Sequence, residues 1–134
     1  MIIQRLRTLV LACLFLPLIA GADDLGSISF PNSGKVEAQE AFLTGVKALH
    51  SFQFDEARFA FEAAQGIDPD FALAYWGQAM SDNHPLWAQQ DGEAATAALK
   101  RLAPTHEERL AKAPTEKEKA YLRAIDVLYY SPGE

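Results

Sequence analysis

From residue 36 onward the apolar positions recur every three or four residues, the spacing of one helix face. No stretch alternates apolar and polar in the two-residue rhythm of a half-buried strand. The first pattern predicts a helix over 36–49, with Phe42, Leu43, Val46 and Leu49 on one stripe and small residues Ala38, Ala41, Gly45 and Ala48 beside it. A second is expected over 55–66, ended by Gly66 in a left-handed cap, where glycine has no Cβ to clash. Asp68-Pro69 then breaks the chain, because proline disfavours helical geometry in the residue before it. A third helix is expected over 70–82 and is stopped by Pro85. A fourth follows Asp91, a good N-cap, with Ala94, Ala95, Ala98, Leu99 and Leu102 on one face and Pro104 at its end.

Two capping boxes come next. "APTHEE" and "APTEKE" place Thr105 and Thr115 three residues before Glu108 and Glu118. In each, the threonine oxygen takes the glutamate backbone N–H and the glutamate reaches back to the threonine N–H. The first opens a short helix, and the second a longer one with Tyr121, Leu122, Ile125, Leu128 and Tyr129 on its expected buried face. The segment before all of these, "DDLGSISFPNSG", has turn residues and little periodicity, and reads as a linker or arm over 23–35.

The N-terminus follows a different grammar. "MIIQRLRTLVLACLFLPLIAGA" is basic at Arg5 and Arg7, apolar from Leu9 to Ala20, and small-residue rich at Ala20-Gly21-Ala22. This is the pattern of a cleaved signal peptide over 1–22, with cleavage after Ala22 and a periplasmic or secreted destination. The apolar run is too short to span a hydrocarbon core of roughly 30 Å, so no stable membrane insertion is expected after cleavage. Cys13 lies inside the apolar run rather than after it, which argues against a lipoprotein cysteine.

Cleavage would leave ten basic against 18 acidic residues, a net charge of −8, and no cysteine. An acidic chain lacks the basic footprint of a nucleic-acid binder and gains nothing from an anionic lipid surface. Without cysteine, disulfides, thiol nucleophiles and cysteine metal sites are excluded. Apolar residues make up 49 % and charged residues 22 % of the 134, a globular balance sufficient for one small domain.

The helix pair over 36–69 forms a unit. Gly45, Phe54, Ala57, Phe61, Ala64 and Pro69 follow one another as small, aromatic, small, bulky, small and proline. In this they resemble the tetratricopeptide repeat family. Ala72, Ala74, Tyr75 and Ala79 begin a second, partial unit over 70–104, and "HPLWAQQD" then departs from the family turn. The longer run from Ala41 to Trp87 is similar to exported bacterial proteins that carry such repeats. The resemblance implies an all-α fold over 36–134, with antiparallel helical hairpins stacked as a right-handed solenoid. It further implies the N-terminal part of a longer array. Stacked repeats bury their faces against neighbours and need about three units. With at most two recognisable, the segment is expected to be marginally stable or to self-associate.

The candidate chemistry is sparse. There is no H-E-x-x-H, no glycine-rich phosphate loop and no G-x-S-x-G. The glutamates of "THEER" are explained by a capping box, so His106 is not read as a metal ligand. His50 and His84 stand 34 residues apart, one repeat length, each near the end of a first helix. They have two readings: each caps a helix C-terminus, or both point into a shared groove. In the family the first helices line that groove, and the resemblance therefore implies a partner-binding surface of Phe42, Val46, His50, Trp76, Met80, Asn83, His84 and Trp87. The expected function is binding of a protein or peptide segment, with no catalysis, no cofactor and no metal. The alternatives are the helical N-terminal part of a larger enzyme or metal-binding protein, and a purely structural assembly module.

Overall fold

The computed structural model describes residues 25–130, which are mostly helical. The expected leader and its cleavage point lie outside the described residues. Helix α1, Gln39–His50, follows a 3-10 turn at Val36–Ala38. Then come α2 at Phe54–Ile67, α3 at Ala72–Ser81, α4 at Gly92–Leu102, α5 at His106–Lys112 and α6 at Glu116–Tyr129. No helix among the described residues is long and apolar enough to cross a membrane.

The helix starts follow the sequence signals closely. Asp91 accepts the Ala94 N–H at 2.9 Å and caps α4. Both capping boxes form, Thr105 with Glu108 and Thr115 with Glu118. Two expectations need correction. Gly66 does not cap α2: the helix runs through it to Ile67, and the Asp68 N–H donates to the Ala64 carbonyl at 2.9 Å. Asp68 ends the helix instead, with φ −134° and ψ 88°, the extended geometry proline requires of its predecessor. In addition, a short antiparallel ladder interrupts the helices. Strand β1, Asn83–His84, pairs with β2, Gln89–Gln90, around a 3-10 turn at Pro85–Trp87. Two-residue strands are too short to show an alternating pattern. Pro85 denies the helix a continuation, and Ala88 at φ 50° turns the chain back.

Helix α3 is the centre of the packing. It touches α1, α2, α4 and α6, and every residue over 72–79 is buried. A helix apolar on all sides belongs in such a place. The Phe61 ring, fully buried, is wedged between α1 and α3 at two glycines. A Cβ on Gly45 would stand 2.9 Å from that ring, and one on Gly77 would stand 2.3 Å from it. Both distances are below van der Waals contact, so the two helices approach the ring with bare backbone. Phe42 joins it, with ring centroids 5.7 Å from Phe61 and 4.7 Å from Phe71.

Residues 25–35 are an arm packed on the helices. Phe30 sets its ring against Phe42, Trp76 and Tyr121, at centroid distances of 5.4, 6.3 and 5.6 Å. Polar contacts hold the arm on both sides. The Lys35 N–H donates to Asp68 at 2.9 Å, and the Ser33 N–H and hydroxyl donate to Glu118 at 2.8 and 2.6 Å. On α6, Leu122 and Ile125 are buried as expected and Tyr121 and Tyr129 are half-buried, while Leu128 is exposed.

Candidate functional site

An apolar pocket of about 350 Å³ opens beside the arm. Its floor is Trp76 and Met80 from α3, its walls are Phe30 from the arm and Tyr121 from α6, and its rim is His50, Phe52, Phe54 and Asn83. Trp76 and Tyr121 meet edge to face with centroids 4.8 Å apart. Beyond the rim, Trp87 packs edgewise on Phe52 and Phe54, at 6.0 and 5.9 Å, and remains 54 % exposed.

Local backbone puts Phe52 there. After α1 the Gln53 N–H donates to Ala48 and the Phe52 N–H to Leu49, at 3.0 and 3.3 Å. This is the paired closure of a Schellman motif, whose residue after the cap is left-handed and normally glycine. Here it is Phe52, at φ 60°. A left-handed conformation with a Cβ costs roughly 1–2 kcal/mol. Such strain concentrates at binding and active sites.

Four of the expected groove residues line this pocket: His50, Trp76, Met80 and Asn83. Trp87 stands at its outer edge, touching two rim residues. Phe42 and Val46 do not belong to it. They are 0 % and 1 % exposed, inside the core. The reason is the arm, whose Phe30 ring covers Phe42 directly. Trp76 is also largely buried, at 7 % exposure, so it is a floor more than a free anchor. Both histidines bind helix-end carbonyls. His50 Nδ1 lies 2.8 Å from the Val46 oxygen and His84 Nε2 lies 2.9 Å from the Ser81 oxygen. A carbonyl only accepts, so each of these nitrogens carries the proton. His84 also stacks on Phe54, centroids 4.0 Å apart. Sequence reasoning missed Phe30, Phe52 and Tyr121 as pocket residues. For Phe52 a signal existed: a bulky aromatic stands just past a helix end, where glycine is usual.

On the other face of the Phe54–His84 stack lies a polar cleft of about 320 Å³, lined by Asp55, Arg58, Ser81, Asp82, His84 and Asp91 among others. Burial pushes the Asp82 carboxyl up to about 6, and its buried Oδ2 has no hydrogen-bond partner among the described residues. An acid whose folded pKa is raised binds more protons folded than unfolded, between its ordinary value of 3.8 and about 6. Stability therefore falls as pH rises through that window and stays lower above it. Asp82→Asn is expected to raise the melting temperature by a few degrees at pH 7.5. That gain should shrink as the pH drops from about 6 to 4, and melts across the range check it.

A third cavity, about 520 Å³, lies where α5 meets α6. Its buried Arg109 donates to Asp126 Oδ1 at 2.9 Å, and His106 holds Oδ2. Both carboxylate oxygens are thus taken by the protein, and the trio clips α5 to α6. Among the described residues no three His, Cys, Asp or Glu side chains are placed to hold a metal. No protein-family model matches this chain, and neither a curated protein nor a solved structure does.

Proposed function

We propose that this chain is an exported, tetratricopeptide-like binding module that holds a segment of another protein in the pocket above Trp76. The observation that carries the reading is an open apolar pocket with exposed aromatic groups at its rim and just beyond it. Phe52 and Trp87 are each 54 % exposed, and Phe52 keeps its place at a strained backbone angle. Exposed aromatic rings around a pocket are typical anchors of protein recognition.

The repeat reading is supported by the packing of its pattern residues. Ala57, Phe61 and Ala64 are fully buried, and α1 and α3, which would be first helices of successive units, lie in contact. The departure at "HPLWAQQD" forms the β1–β2 hairpin that sets Trp87 against the rim residues Phe52 and Phe54. Export rests on the basic, apolar, small order of residues 1–22.

A photo-crosslinking side chain placed at residue 86 of the hairpin should capture a partner protein from the exported fraction. Trp87→Ala should abolish that capture while leaving the melt unchanged within about 0.5 kcal/mol, as for an exposed side chain. Capture that persists in Trp87→Ala would place the binding surface elsewhere. Phe52→Gly offers a second check. It removes the strain and the ring together, so it should stabilise the fold by about 1 kcal/mol while weakening partner capture. A thermal melt showing destabilisation would mean that the ring serves the fold rather than the partner.

A further inference from the structure

Part of the groove is already occupied by the arm. The arm lies along it, and Phe30 fills its inner half against Phe42, Trp76 and Tyr121. The arm is therefore an internal example of what the surface accepts: chain without helix or strand that sets a partly buried aromatic ring against it. The outer half is the open pocket, and the polar cleft lies just across the Phe54–His84 ring pair.

The two cavities differ in charge. The apolar pocket has no carboxylate in its lining. The cleft has Asp55, Asp82 and Asp91, with Arg58 as the cation beside them. Arg58 is engaged with Asp55 at 2.8 Å, and Asp91 Oδ1 accepts from the Ala94 N–H. Asp82 Oδ2 is buried and has no hydrogen-bond donor among the described residues. The cleft thus carries a surplus of negative charge at the edge of an apolar pocket. A second copy of this chain is a poor occupant, because each copy is acidic, with a net charge of −8 once residues 1–22 are removed, and the two repel.

Building on the binding function proposed above, we infer that the occupant is an extended segment of another protein with a large apolar side chain followed two residues later by lysine or arginine. The apolar group enters above Trp76 and Met80, and the cation enters the cleft against Asp82 and Asp91. Alternate side chains of an extended chain share one face, so a spacing of two lets both groups reach the protein while the residue between them faces water. The Phe54–His84 ring pair lies under the segment as the divider.

The test is a calorimetric titration of the full chain with three capped peptides: Ser-Phe-Ser-Lys-Ser, Ser-Phe-Ser-Glu-Ser and Ser-Ala-Ser-Lys-Ser. The Phe/Lys peptide should bind about tenfold more tightly than the Phe/Glu peptide, the size of one charge-assisted contact. It should exceed the Ala/Lys peptide by at least about tenfold, the scale of one buried apolar side chain. The lysine preference should shrink at high salt and disappear in Asp82→Asn/Asp91→Asn. Asparagine at 91 retains the cap of α4, so that variant keeps its fold. Equal binding of the Phe/Lys and Phe/Glu peptides, with both lost in Trp87→Ala, would overturn this inference and leave the binding pocket standing. A lysine preference that survives the double substitution would also overturn it, since the cation would then sit elsewhere. Absence of binding by all three peptides would overturn the inference and the pocket's proposed role together. A dimer dispersed by Trp87→Ala, with no peptide binding, would do the same and assign the surface to a second copy.

Discussion

Phe61→Ala is expected to lower the free energy of unfolding by about 3–5 kcal/mol, the range for truncating a large buried aromatic side chain. The upper part of that range applies here. The ring is fully buried, and what faces it on α1 and α3 is glycine backbone at Gly45 and Gly77. Glycine has no side chain to swing into the cavity, so the site would collapse poorly. For a small domain with roughly 5–15 kcal/mol in hand, that is a large share, and α1, α2 and α3 would loosen together. Denaturant unfolding of the variant beside the parent chain measures it. A loss below about 1 kcal/mol, the scale of a single methylene, would show that the wedge between the two glycines does not exist in solution.

Glu118→Ala is expected to cost about 3 kcal/mol, combining loss of a helix cap with loss of hydrogen bonds to a charged group. One carboxylate does both tasks. Oε2 receives the Thr115 hydroxyl and N–H at 2.7 and 3.2 Å and closes the cap of α6. Oε1 receives the Ser33 hydroxyl and N–H and ties down the arm. Burial raises the carboxyl pKa, but these four bonds outweigh it and hold the group below its ordinary value of 4.5. Its contribution is therefore present above about pH 4.5 and lost as the pH falls below that. The distinguishing readout is the arm. Limited proteolysis should cut the variant near Phe30 before the helices are attacked, and Glu118→Gln should recover part of the protection. Cleavage of helices and arm at the same rate would contradict the anchoring role.

The arm also shows where sequence reasoning ended. Residues 23–35 carry no helical or strand period, so nothing in their pattern shows that Phe30 packs against the core. With the arm left out, Phe42 and Val46 looked free to line a groove, because residues four apart share a helix face. Periodicity reports which residues lie together on a face, but not what covers that face. Phe30 covers Phe42, and the pocket begins one turn further along, at Leu49 and His50.

Short-range chemistry was legible because it is local. The capping boxes at Thr105 and Thr115, the N-cap at Asp91 and the helix stop at Asp68-Pro69 depend on residues within four of one another, and each formed as read. The mostly helical character was equally legible, since it follows from the spacing of apolar residues alone. Burial of Phe61, Ala57 and Ala64 followed from small and large residues alternating on one face. Tertiary structure decided what depends on distant parts of the chain. Glu118 meets Ser33 across 85 residues, and Tyr121 joins Trp76 and Phe30 to wall the pocket. The left-handed turn at Phe52 and the hairpin at Trp87 decided which aromatic groups reach solvent. A local pattern sets the face each helix presents, whereas the long-range packing of arm, hairpin and α6 sets which faces are covered and which stay open.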